Sequence, residues 1–150
     1  VKDVRNKMYR NTETLLYNFQ ALKKHLENEE EYLAMALHQS SKSFVRYQKN
    51  NSGKTTNDEL LDARRRSYER SKSDCQRIQA ALDAVCNDKA YIIIKLRYLD
   101  NRRLTYEEIA EMLQGKYGFS EHLTEKTVRR HKTRLVRKIA VILFGTDAII

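Results

Sequence analysis

The sequence predicts an all-α protein: an N-terminal helical hairpin or bundle, a long central helix, then a C-terminal helix-turn-helix domain. Three observations carry that prediction. The 150 residues include no proline and only four glycines, so the strongest helix breakers are nearly missing. The rest is rich in Leu, Ala, Lys, Arg and Glu, the residues that lose least on entering a helix. Apolar residues make up 41% and charged residues 33%, a balance that excludes wholesale disorder and supports one good core, or a small domain joined to a helical extension. Composition and spacing divide the chain into residues 1–86, a helical region for oligomerisation or partner binding, and 87–150, the helix-turn-helix domain.

From about Arg10, Leu15, Phe19, Leu22 and Leu26 recur at spacings of four, three and four, one stripe of a helix with Lys23, Lys24 and Glu27 opposite. Asn28 followed by Glu31 can cap a second helix carrying Leu33, Leu37, Phe44 and Tyr47. One unbroken rod also fits, because the apolar phase passes through "ENEEE". Four acids around an asparagine make a better first turn than a middle, so the break is preferred.

The polar stretch "KNNSGKTTND", residues 49–58, reads as a linker. A long helix follows over about 57–85. Leu61, Tyr68, Cys75 and Leu82 fall at intervals of seven, with Ile78 and Val85 interleaved and Arg64 and Ser71 thinning the face. It fits a three-helix bundle or a self-association surface. Its run "ARRRSYERSK" contains five cations among interspersed acids and reads as a solvated helix surface, with DNA-backbone contact or a route to an acidic protein partner as the sharper alternative.

Asn87 or Asp88 can cap "KAYIIIKLRYL". Three isoleucines favour strand by propensity, yet no alternating partner exists and an isolated strand is unstable. The segment is therefore read as a helix, with Ile92, Ile93, Leu96 and Leu99 turned toward the C-terminal domain.

Residues 104–140 hold the strongest functional signal. Thr105 and Glu108 form a capping box for a short acidic helix bearing Ile109, Ala110, Met112 and Leu113, which Gly115 ends. A second helix starts near Thr124, and Val128, Leu135, Val136, Ile139, Ile142 and Leu143 recur along it. Seven cations (Lys126, Arg129, Arg130, Lys132, Arg134, Arg137, Lys138) against one acid, Glu125, give this segment +6 of the whole-chain +9. Such density predicts a partner with closely spaced negative charge, duplex DNA above all. Past Phe144, Gly145 ends the helix.

A steadying helix followed by a basic one is the layout of a helix-turn-helix reader. "LRYLDNRRLTYEEIAEML" and "LTEKTVRRHKTRLVRKIA" resemble the fourth region of bacterial sigma factors and the small sigma-like late-gene regulators of phages (the ArpU and RinA type). The resemblance covers residues 91–143, and the fragments T-x-E-E-I-A and T-V-x-R within it are shared by many helix-turn-helix proteins. It implies base contacts from Glu125, Lys126, Arg129 and Arg130, with Val128 and Ile139 facing inward. The sequence departs from the pattern in its turn, where "QGKYGFSEHL" adds about six residues to the usual three or four.

Arg129 and Arg130 can each present two parallel donors to guanine. Lys132, Arg134, Arg137 and Lys138, further along, are backbone candidates, as are Arg102 and Arg103 in the preceding link. Tyr117 and Phe119 are expected to anchor the turn rather than wedge into DNA. The reading requires that Arg129, Arg130 and Arg134 stand exposed and unclaimed by carboxylates of the same chain.

No catalytic arrangement is legible: no glycine-rich phosphate loop, H-E-x-x-H or nucleophile elbow. Glu107 and Glu108 stabilise free N–H groups at a helix start. Cys75 and Cys86, about 16 Å apart along a helix, are too far apart to bond and read as reduced, buried thiols. Four scattered histidines add no zinc set, and His131 reads as a half-buried, satisfied side chain. No apolar run approaches a membrane span and no signal-peptide stretch begins the chain.

The expectation is a non-enzymatic, sequence-specific double-stranded-DNA-binding regulator of phage or prophage type, cytoplasmic in a bacterial host and controlling late genes. RNA polymerase and a second copy of the chain are candidate partners. No cofactor, metal, membrane or small-molecule ligand is expected. The rivals are a small terminase-like subunit that binds viral DNA for packaging, and a helical interaction protein that binds no DNA.

Overall fold

The computed structural model describes the backbone of residues 2–47 and 56–149, with side chains over 2–38 and 57–149. Among the described residues every regular element is helical: α1 (Lys2–Tyr47), α2 (Thr56–Val85), α3 (Tyr91–Ile94), α4 (Tyr106–Leu113) and α5 (Glu125–Phe144). A π-helical turn, Lys95–Leu99, continues α3, and a 3-10 turn, Gly145–Ala148, follows α5. The protein is all-α, as the poverty in breakers predicts. No helix of the described residues is long and apolar enough to cross a membrane.

The break expected at Asn28 does not occur, because α1 runs unbroken through "ENEEE". The acids that look like a first turn have another role. Glu29 is buried, and its two carboxylate oxygens accept from Arg64 of α2, Nη2 at 3.0 Å and Nε on the other oxygen. The Arg64 guanidinium also lies 3.5 Å from the centre of the Tyr32 ring. Its hydrogen bond holds the Glu29 carboxyl below the usual carboxylate range, against the opposing effect of burial. A helix break here would forfeit that pair, so a contact 35 residues away overrides the local capping signal.

Contacts divide the chain into two compact units, Val1–Gln20 with Arg77–Ile150, and Ala21–Gln76. This line differs from a division after residue 86, since both the start of α1 and the end of α2 belong with the C-terminal helices. With α1 unbroken, the described residues of the unit Ala21–Gln76 belong to two helices, α1 and α2, rather than three. Residues 49–55 of the expected linker lie outside the described residues, and its last three form the first turn of α2. The side chains of Phe44 and Tyr47 also lie outside the description.

The first unit holds the larger core. Ile93 and Ile94 of α3, Ile109 of α4, and Val128, Leu135, Val136 and Ile139 of α5 are fully buried with Leu16 of α1. Phe19, Ile78, Leu82 and Val85 join them. The isoleucine run is helical as expected, with Ile94 buried and Ile92, Leu96 and Leu99 half-buried. Three expectations are corrected. Ile142 is 45% exposed and Leu37 49% exposed, so neither belongs to its stripe. Cys86 lies just past the end of α2 and is exposed, while Cys75 is half-buried.

Candidate nucleic-acid interface

Both helices of the basic segment begin where hydroxyl caps place them. Thr105 is extended (ψ 162°) and its Oγ1 accepts from Glu108 N at 3.2 Å, starting α4. Thr124 does the same for α5, accepting from Thr127 N at 3.3 Å. The turn between them is built rather than loose. Gly115 and Gly118 take left-handed φ values of +65° and +81°, and Gly115 N donates to Ser120 O at 3.1 Å. Gln114 Nε2 reaches across to Leu123 O at 3.2 Å.

Phe119 is buried and meets His131 edge-on at 5.8 Å, so it anchors the turn as expected. Tyr117 does not; it stands 65% exposed at φ +54°. His131 is half-buried, as expected. Burial, followed by the nearby Arg134 and Lys89 charges, pushes its imidazole below the ordinary histidine value.

The side of α5 that carries Val128, Leu135, Val136, Ile139 and Leu143 is core. At about 100° per residue, Lys126, Arg130 and Arg137 fall within about 40° of each other on the opposite side, with Lys138 further round. All four are exposed and make no hydrogen bond or ion pair among the described residues. Lys126, Arg130 and Arg137 form one exposed row of positive charge, and Lys138 stands about 100° round the helix from Arg137.

The other cations of the segment are engaged. Arg134 grips Asp88 with two nitrogens, at 2.8 and 3.0 Å. That hydrogen bonding, helped by the Ala90 amide and opposed by burial, holds the Asp88 carboxyl down at about 2. Arg129 closes on Glu125 one turn earlier, Nη2 to Oε1 at 2.6 Å, and its guanidinium lies 4.6 Å from the centre of the Tyr106 ring. The base-reading candidate Glu125 is thereby taken up by Arg129. Two of the three arginines required to be unclaimed thus carry a carboxylate partner, so the condition fails for Arg129 and Arg134 and is met by Arg130 alone; a DNA reading of α5 rests on Arg130 with Lys126, Arg137 and Lys138.

Lys132 departs furthest from its expected place. Its side chain is 11% exposed and turned inward, donating to Tyr9 Oη at 2.9 Å and Glu13 Oε1 at 3.2 Å of α1. Burial alone would depress the ammonium, but the Tyr9 and Tyr106 hydroxyls hold it above the ordinary lysine value. Lys132 is therefore no DNA-backbone candidate. Glu13 also accepts from Tyr98 Oη at 2.7 Å, and Arg97 donates to Tyr17 Oη at 3.0 Å while lying 4.3 Å from the centre of the Tyr106 ring. Sequence reasoning missed this polar layer between α1, the π-helical turn and α5. In the link, Arg102 is folded back on Asp100 at 2.8 Å, whereas Arg103 (φ +50°) is exposed and has no ion pair among the described residues.

The Asp88–Arg134 pair gives a pH prediction. Asp88 titrates lower folded than unfolded, so its contribution is complete above the ordinary carboxylate value and disappears as pH falls from about 5 to about 2. With Arg134 half exposed, that contribution is about 1–2 kcal/mol. Urea unfolding should show Asp88→Asn less stable than the parent by that amount at neutral pH. The two proteins should converge at about pH 2. Parallel acid limbs would mean that the pair stabilises nothing.

Comparisons with family models, with curated proteins and with solved structures find no match for this chain.

Proposed function

We propose that the chain is a sequence-specific double-stranded-DNA-binding transcriptional regulator of phage or prophage type, in which α4 and α5 act as the two helices of a helix-turn-helix. One observation carries the reading: Lys126, Arg130 and Arg137 form an exposed row with no hydrogen bond or ion pair among the described residues, flanked by the exposed Lys138, and the reverse side of the helix is core. A helix so fastened can present its charge to a phosphate backbone without losing internal contacts. The likeness of residues 91–143 to sigma-like late-gene regulators supports the same conclusion. Base contact falls first to Arg130 and Lys126 and backbone contact to Arg137 and Lys138, with Arg103 as a further backbone candidate. A second copy of the chain and RNA polymerase are the protein partners in this proposal.

The test is selection of bound duplexes from a random pool, with the mass of the free protein measured alongside. A defined, enriched site bound by a monomer or dimer is the expected result. About four phosphate contacts would lower affinity about a hundredfold between 50 and 200 mM salt. A closed ring of many copies that enriches no site would favour packaging of viral DNA instead. Failure to bind any duplex at low salt would overturn both readings.

A further inference from the structure

The exposed row borders a cleft that includes the start of α1. A cavity of about 230 Å³ is lined by Arg5, Asn6 and Tyr9 of α1 and by Thr133 and Arg137 of α5, with two alanines completing it. Arg5 and Arg137 are both exposed, and neither makes a hydrogen bond or ion pair among the described residues. Asn6 and Thr133 add neutral donors, and among the described residues no acidic side chain lines the cleft. Tyr9 is held in place there by the inward Lys132, whose ammonium donates to its hydroxyl at 2.9 Å. Two guanidinium forks with amide and hydroxyl donors suit a tetrahedral oxyanion, which accepts several hydrogen bonds at once.

We propose that this cleft is a phosphate subsite that takes one backbone phosphate of the duplex read by α5, so that α1 forms part of the DNA-binding surface. The inference rests on the reading of α5 as a DNA reader and extends it to a residue about 130 positions away. Thr133 and Arg137 follow Lys126 and Arg130 at helical spacing on the same side of α5. A phosphate in the cleft would therefore lie at the edge of the surface those residues present.

Full-length parent, Arg5→Ala, Arg137→Ala and Lys7→Ala are compared for duplex affinity from 50 to 200 mM salt. Circular dichroism confirms that each is folded. Lys7→Ala removes the same charge from α1 about 200° round the helix from Arg5, so it reports long-range charge alone. Arg5→Ala and Arg137→Ala should each lose about one unit of salt slope. The deficit of each against the parent should then shrink about 3.5-fold across that salt range, with Lys7→Ala staying close to the parent. Inorganic phosphate, added without DNA, should shift the amide resonances of Asn6 and Thr133 in the parent and leave them unmoved in Arg5→Ala.

If the parent binds duplex but Arg5→Ala behaves like Lys7→Ala, the subsite is overturned and α5 remains the reader. If phosphate moves those amides while the duplex series shows no difference, the cleft serves a small phosphorylated ligand and the DNA assignment is overturned. A parent that binds no duplex overturns the reader itself, and this inference with it.

Discussion

Replacing Lys132 with alanine is expected to destabilise the protein by about 2–4 kcal/mol, the cost of breaking a mostly buried ion pair and removing its packed stem. Its ammonium joins Tyr9 and Glu13 of α1, and it lies 5.4 Å from the centre of the Tyr106 ring. Removal leaves the Glu13 carboxylate with only the Tyr98 hydroxyl among its observed partners. Because the folded ammonium titrates above its unfolded value, its contribution is complete at neutral pH and fades only as pH rises past the ordinary lysine range. The denaturant midpoint should fall with the slope unchanged. Glu13→Gln, which keeps an acceptor for Tyr98 and Lys132, should cost less. If Lys132→Ala kept its stability and lost several-fold in duplex affinity, the side chain would belong to the exposed row.

How far the sequence foretells such details depends on how local their causes are. The starts of α4 and α5 were legible because a threonine hydroxyl caps the third residue beyond it, and Gly145 marks the end of α5 just as locally. The inward turn of Lys132 was also encoded, since it lies four residues from Val128 and from Val136, on the apolar stripe. Arg134 is different. It lies on the outward side, and its engagement depends on Asp88, 46 residues away and legible only as a cap. The same holds for α1, where the acids around Asn28 match a helix start and Glu29 becomes intelligible only beside Arg64. In the enlarged turn, composition names two aromatic anchors, but the left-handed backbone at Tyr117 and Gly118 buries only Phe119.

The arrangement of α5 also ranks its two adjacent arginines, which the sequence treats alike. Arg129 is stacked near Tyr106 and bound to Glu125, whereas Arg130 is exposed and unpaired among the described residues. An exposed pair one helical turn apart is worth only about 0.3–0.5 kcal/mol, so Glu125 alone does not bar Arg129 from DNA. The nearby ring gives its guanidinium a second partner to surrender, while Arg130 has neither to lose. Arg130→Ala should therefore reduce the preference for the selected site over a scrambled duplex by about 1–3 kcal/mol, roughly 5- to 150-fold. Arg129→Ala should cost less. Arg137→Ala should weaken both duplexes alike and leave their ratio intact, as expected for a phosphate contact. Competition binding of the two duplexes at one salt concentration separates these outcomes. A larger loss of preference from Arg129→Ala would mean that DNA displaces the Glu125 and Tyr106 contacts and reverses the ranking. If neither of these substitutions nor Lys126→Ala altered the ratio, base recognition would have to come from outside the first turns of α5, and the assignment of α5 as the reader would fall.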